Sequence, residues 1–227
     1  TLFMFVNLAA FPLTVRVVEQ HGRAGADAQL RLHGTVLLFI AAPAVLGLIV
    51  LTPNIAQVLI GPNFRTAAGT VLPVVGVAAL LAGLKAYYFD LSYQLGRATG
   101  VQVWVSGAAA VINLVLNLLW IPRWGAGGAA YATLAAYAAG CGLSWALGFR
   151  GMRLPVPWLD WGRICFAAGV MGLVLVSVRD LRGPLALAGQ VVVGMVCYFA
   201  VAILLNIGGS RLLVQGLLRR MRPGASV

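Results

Sequence analysis

The sequence predicts an all-α, polytopic transmembrane helix bundle, and three observations carry that prediction. Of the 227 residues, 61% are hydrophobic and 9% are charged, against roughly 25% charged in a soluble domain. The apolar residues fall into runs near the ~20 residues that a helix needs to cross a ~30 Å hydrocarbon core. Trp104, Trp120, Trp124, Trp145, Trp158 and Trp161 sit near the ends of those runs, where amphipathic rings anchor at headgroups. The net charge of +11 comes almost wholly from single arginines between the runs. It points to a membrane surface, and no nucleic-acid partner is expected.

Residues 1–15 read as the end of a span, after which Arg16, Glu19, His21 and Arg23 mark a polar loop running to about Arg31. The opening TLFMFVNLAAFPL has no initiator Met, basic n-region or cleavage pattern, so a chain cut inside a longer protein is expected rather than a signal peptide. The second span, about Thr35 to Thr52, carries Pro43. Its missing N–H makes it a hinge candidate, with kinked packing as the equal alternative.

After Pro53 a short amphipathic piece, NIAQVLIG, leads to a turn at Gly61-Pro62-Asn63. Spans three to five cover about 68–91, 101–121 and 126–149. Gly96, Arg97 and Gly100 separate the third from the fourth, while Trp120-Ile121-Pro122 ends the fourth so close to the fifth that the two must form a tight hairpin. A loop with Arg150, Arg153 and Trp158 precedes a short sixth span, about 164–178, and the seventh covers about 185–205. The tail spaces Leu213, Leu217 and Met221 by four among arginines, as an interfacial helix does.

If the loops alternate sides, Arg16, Arg23, Arg31, Arg97, Arg150, Arg153, Arg163, Arg211, Arg219, Arg220 and Arg222 share one side and Arg65, Arg123, Arg179 and Arg182 the other. The richer side is read as cytoplasmic. The hairpin then turns on the outer face, and the C-terminus lies inside.

Enzyme constellations are absent: there is no HExxH, no GxSxG and no GxxxxGK[ST], so the chain is read as a non-enzyme. With five acidic residues, two histidines and no CxxC, no metal site is expected, and Cys141, Cys165 and Cys197 read as buried inert thiols.

The informative residues are polar ones inside spans. Lys85 lies roughly 9 Å below the middle of the third span, and a lysine at a helix centre costs about 2.5–3.5 kcal/mol to insert. It needs a cavity, a partner, or a route along its own stem to the cytoplasmic headgroups. Asp90 is five residues on, about 140° around an α-helix, so the usual helical ion pair is not expected. Lys85 instead shares a face with Tyr88 and Ser92, and Asp90 one with Tyr93, Gln94 and Arg97. Asn113 and Asn117 share a face of the fourth span and either hold helices together or line a wet groove. Lys85 and Asn113 come out ~12 Å apart along the membrane normal, as separate stations on a path. Small-residue ridges, Gly125-Ala129-Thr133 and Ala136-Gly140-Ser144, are assigned to helix packing, and Gln190 and Asn206 stand isolated.

The run AAFPLTVRVVEQHG, a proline-bearing span, LIGPNFRTAAGTVLPV, YQLGRATG and NLVLNLLWIPRWGAGGAAYATL, in that order, resemble the second half of bacterial polysaccharide exporters. These are O-antigen and exopolysaccharide flippases, in the superfamily that also holds the lipid II flippase and the multidrug and toxin extruders. The resemblance implies the C-terminal lobe of a two-lobed alternating-access transporter. Residues 1–150 would form most of a six-helix lobe with its first helix truncated, 151–207 two additional helices, and 208–227 a cytoplasmic amphipathic tail.

The implied function is flipping an undecaprenyl-pyrophosphate-linked oligosaccharide from the cytoplasmic to the outer leaflet of the bacterial inner membrane. The implied partners are membrane lipids, that lipid-linked oligosaccharide and the missing N-terminal lobe. No cofactor is implied, and sodium or protons as coupling ion stay open. Lys85 would meet the pyrophosphate, Asn113 and Asn117 the sugar hydroxyls, with Tyr88 and Asp90 as further pathway candidates. The rivals are a multidrug cation antiporter, for which Asp90 is the one candidate carboxylate, and a non-transporting membrane scaffold.

Overall fold

In lipid every backbone polar group must be satisfied inside its own segment, so long apolar runs without water resolve into helices. The computed structural model describes residues 2–209. Its elements are α1 (Leu2–Gly25), α2 (Asp27–Leu59), a 3-10 turn (Pro62–Phe64), α3 (Arg65–Leu84), a π-helical turn (Lys85–Phe89), α4 (Leu91–Leu95), α5 (Thr99–Leu147), a 3-10 turn (Gly148–Arg150), α6 (Trp158–Val178), α7 (Pro184–Leu204) and a 3-10 turn (Ile207–Gly209). The tail positions Leu213, Leu217 and Met221 lie outside the described residues. Within them, five segments are long and apolar enough to cross a membrane: Asp27–Leu59, Pro62–Leu95, Thr99–Arg150, Trp158–Val178 and Pro184–Leu204. The chain is an all-α, multi-pass membrane bundle.

A straight helix of the 49 residues in α5 would reach ~74 Å, far more than a bilayer spans. It folds back at Gly125, where φ is 53° and ψ −131°, a region that side chains disfavour. Gly128 rests against the Trp120 carbonyl and Gly140 faces Ala109. Residues 99–124 and 126–147 are therefore the antiparallel arms of the expected hairpin. Sequence spacing assigns Gly125 to the packing ridge, and here the structure differs. Gly125 is the exposed turn residue with open space around its Cβ position, and Gly128 takes over the close approach. Gly125→Ala is accordingly expected to lose about 1–3 kcal/mol through backbone strain alone. Thermal unfolding of the detergent-solubilised intact protein measures this, and an unchanged midpoint would refute a turn that requires positive φ.

The expected loop from Arg16 to about Arg31 is mostly helix: α1 is helical on both sides of a kink at Gly22, whose φ of 67° and ψ of −172° are non-helical, and α2 begins at Asp27, so the break is confined to residues 22–26. Arg, Glu and Gln are good helix formers, and beyond the hydrocarbon the helix continues at no cost. α2 likewise stays helical through Pro43 and Pro53 to Leu59, replacing the separate amphipathic piece expected after Pro53. Beside Pro53, the Thr52 hydroxyl donates to the Leu48 carbonyl at 2.6 Å, the kind of local side-chain bond by which membrane helices tolerate proline.

α2 is the central post: α3 packs on one side of it, and α6 and α7 on another. Leu37, Leu38 and Leu51 of α2 share one buried cluster with Tyr88, Ile164, Met171, Leu175 and Tyr198, so the core continues across the boundary expected near residue 150. Polar bonds fasten it. Tyr198 Oη donates to the Phe39 carbonyl at 2.8 Å and Trp161 Nε1 to the Gly34 carbonyl at 3.1 Å. Gln190, which looked isolated in sequence, accepts from Asn54 Nδ2 at 2.8 Å and donates to the Val178 and Leu181 carbonyls. The three cysteines are free thiols, but none is fully buried as expected: Cys141 and Cys197 are half-buried and Cys165 is exposed.

Candidate functional site

The site grows out of one irregular turn. Between α3 and α4 the helix widens at Lys85–Phe89, and the Asp90 amide donates to the Lys85 carbonyl at 2.8 Å, an i→i+5 bond. That extra residue in the turn rotates Asp90 back over Lys85. Their side chains form an ion pair at 2.8 Å, which regular α geometry places on different faces. The separation of about 140° expected from sequence is thus corrected by the π-turn. Lys85 is 7% exposed and Asp90 3%, so the lysine does not run along its stem to the surface.

A distant residue holds the turn. The His33 ring on α2 reaches the Tyr87 carbonyl from Nε2 at 2.9 Å. A carbonyl only accepts, so Nε2 carries the proton, and Nδ1 finds no partner among the described residues. Tyr88 lies in the core instead of beside the ion pair. It is fully buried, with its ring over Gly34 and its hydroxyl donating to the Pro155 carbonyl at 3.0 Å.

Both arms of α5 then close on the pair. Ser144 Oγ donates to Asp90 Oδ1 at 2.7 Å, Gln102 Nε2 to Asp90 Oδ2 at 3.3 Å, and Lys85 Nζ to Ser106 Oγ at 3.2 Å. Gly140 leaves room for the lysine stem, since a Cβ there would stand 3.2 Å from Lys85 Cε. Sequence reasoning missed Gln102 and Ser106 and assigned Ser144 to packing. The signal was present: Gln102, Ser106, Asn113 and Asn117 recur at helical spacing as one polar stripe.

Beside the pair lies a cavity of about 550 Å³ between α3 and the two arms, lined by Lys85, Ser106, Asn113, Thr133 and Tyr137 together with alanines. Lys85 and Asn113 therefore border one space instead of forming separate stations. Asn113 Nδ2 donates to Thr133 Oγ1 at 3.5 Å across the hairpin, and Asn117 Nδ2 to Asn113 Oδ1 at 2.9 Å. Thr133 Oγ1 donates to the Ala129 carbonyl at 2.9 Å. Asn113 thus bonds across the hairpin and also faces the cavity, while Asn117 bonds Asn113 within its own arm. Pro43 is remote from this site and lines an apolar groove of about 480 Å³ with residues of α6 and α7.

The arrangement pairs a cluster of two opposite charges with an adjoining, largely alanine-lined space that carries four polar side chains besides Tyr137. In a bilayer such groups are costly, and they mark ligand or ion pathways more often than packing. No protein-family model and no curated protein matches the sequence. Among solved structures, the fold is similar to that of a lipid II flippase, MurJ, in an inward closed conformation. The TM-score is 0.76 at 16% identity, over 94% of this chain and 45% of that one. The chain thus spans less than half the length of the transporter whose fold it shares.

Proposed function

We propose that this chain is the C-terminal lobe of a bacterial flippase that carries an undecaprenyl-pyrophosphate-linked oligosaccharide from the cytoplasmic to the outer leaflet of the inner membrane. The observation that carries the reading is the cavity inside the membrane-crossing bundle whose largely alanine-lined wall carries Lys85, Ser106, Asn113 and Thr133. A headgroup built of hydroxyls and phosphates finds hydrogen-bonding partners there and one ammonium group, while a polyprenyl tail stays in lipid. The likeness of fold to a protein described as a lipid II flippase supports the same class of cargo. On this reading the eleven arginines of the richer side face the cytoplasm, the C-terminus is inside, and a second lobe completes the cleft. Residues 151–207 add two helices to the lobe, and Pro43 serves as a hinge in α2.

The cation-antiporter reading draws on Asp90, which is more deeply buried than its sequence position suggests. Its charge is already balanced by Lys85, so it offers no free anion to a drug cation in this state. Loss of the intact protein separates the two. Accumulation of lipid-linked oligosaccharide in the inner leaflet supports the flippase, and sensitivity to cationic drugs without that accumulation overturns it.

The scaffold reading is tested by Lys85→Gln and Asn113→Leu in the intact protein. Each is expected to cut glycan export about tenfold at normal protein level, the loss of one charge-assisted or bidentate contact of ~1.4 kcal/mol or more. Unchanged export would leave these residues with packing alone.

A further inference from the structure

The ammonium of Lys85 has one carboxylate partner and borders one cavity, and it cannot serve both fully. In the structure it sits on Asp90 Oδ2 at 2.8 Å and Ser106 Oγ at 3.2 Å, with the cavity beginning at the same side chain. Ser106 belongs to both the ion-pair cluster and the cavity wall, so a small swing of a four-carbon stem moves the charge from one to the other.

Charge counting decides what that move requires. Lys85 and Asp90 together are neutral. An anionic headgroup entering the cavity brings the cluster to minus one if Asp90 stays ionised, in a region where Asp90 is 3% exposed. An uncompensated buried charge is expensive, and a buried carboxyl is relieved of it by taking a proton.

The surroundings do not replace the lost cation. Gln102, Ser106, Cys141 and Ser144 from the two arms of α5 are neutral, as is Tyr93 of α4, whose hydroxyl donates to the Ser144 carbonyl at 3.2 Å. Among the described residues, further charges lie on neighbouring elements: Arg150 acts on Tyr93, Arg31 and Asp27 of α2 act on Tyr88, and Arg153 shares a cavity wall with Ser144.

Resting on the flippase reading above, we propose that Lys85 is exchanged between Asp90 and the phosphate of an anionic lipid headgroup, and that Asp90 takes up a proton from water as Lys85 leaves. The lysine stays an ammonium throughout and the proton ends on an Asp90 carboxylate oxygen, so with a singly charged phosphodiester the cluster is neutral before and after; the second negative charge of a pyrophosphate is left to groups outside this cluster. Cargo entry is thereby a proton-uptake step, and cargo release returns the proton.

The test uses the purified intact protein in detergent with dibutyl phosphate, a phosphodiester whose charge is fixed near neutral pH, as the probe. Binding is expected to take up about one proton per anion, read with an indicator dye in weak buffer, and by linkage affinity rises as pH falls. Asp90→Asn is expected to bind the probe at least as tightly with no proton uptake. Should that variant fold poorly, the pH dependence of the unmodified protein carries the test by itself.

Lys85-dependent binding that is independent of pH, or that needs sodium in place of protons, overturns the exchange but leaves the flippase reading standing. Binding that survives Lys85→Gln unchanged overturns both.

Discussion

Asp90→Leu in the intact protein is expected to lose about 3–5 kcal/mol of stability, because it leaves the Lys85 ammonium buried with Ser106 as its one hydroxyl partner. Lys85→Met alone strands the carboxylate in the same way, although Ser144 and Gln102 still donate to it, so its cost should be the smaller. The double variant Lys85→Met with Asp90→Leu is expected to recover most of the loss, since a buried pair replaced by apolar groups of similar volume is often neutral or better. Chemical unfolding of the four proteins as a double-mutant cycle measures the coupling. Additive losses would mean that the two charges do not interact, and that Lys85 reaches the headgroups as the alternative reading of its sequence position has it.

Gly128→Ala should be the second large effect, for a steric reason. A methyl group there runs into the Trp120 carbonyl, which is backbone and cannot rotate away. The arms of α5 must spread, at a cost of about 3 kcal/mol, and the Asn113 to Thr133 bond at 3.5 Å is the first polar contact to be lost. Gly127→Ala is the matched control, because its Cβ meets nothing within 4 Å. It should be neutral or gain up to about 1 kcal/mol from helix propensity. Equal midpoints for the two variants in detergent unfolding would contradict the close approach of the arms.

The two pairs also explain why the hairpin and the ion pair differ in how far they can be read from residues in order. The hairpin announces itself locally. Two apolar runs with a handful of residues between them cannot both cross a bilayer unless they turn back, and Trp120, Pro122 and the following glycines mark where. Which glycine turns and which packs is not marked, because both roles draw on the same missing side chain. Gly140 does take a close neighbour, Ala109, while Thr133 lines the cavity and Gly125 makes the turn.

Length and hydropathy by themselves dictate that this chain is a helical membrane bundle, since lipid offers the backbone no other partner and each span must satisfy itself. The polar stripe Gln102, Ser106, Asn113 and Asn117 and the presence of a lysine and an aspartate in one span are equally visible in the residues. Their meeting is not, because helical periodicity applied to Lys85 and Asp90 puts them on different faces. Only the tertiary structure brings them together. His33, 54 residues away on α2, bonds the Tyr87 carbonyl within the widened turn, and Ser144 reaches Asp90 from the far arm of the hairpin. A single extra residue in a turn is stabilised by contacts from distant helices, and a local pattern carries no record of those.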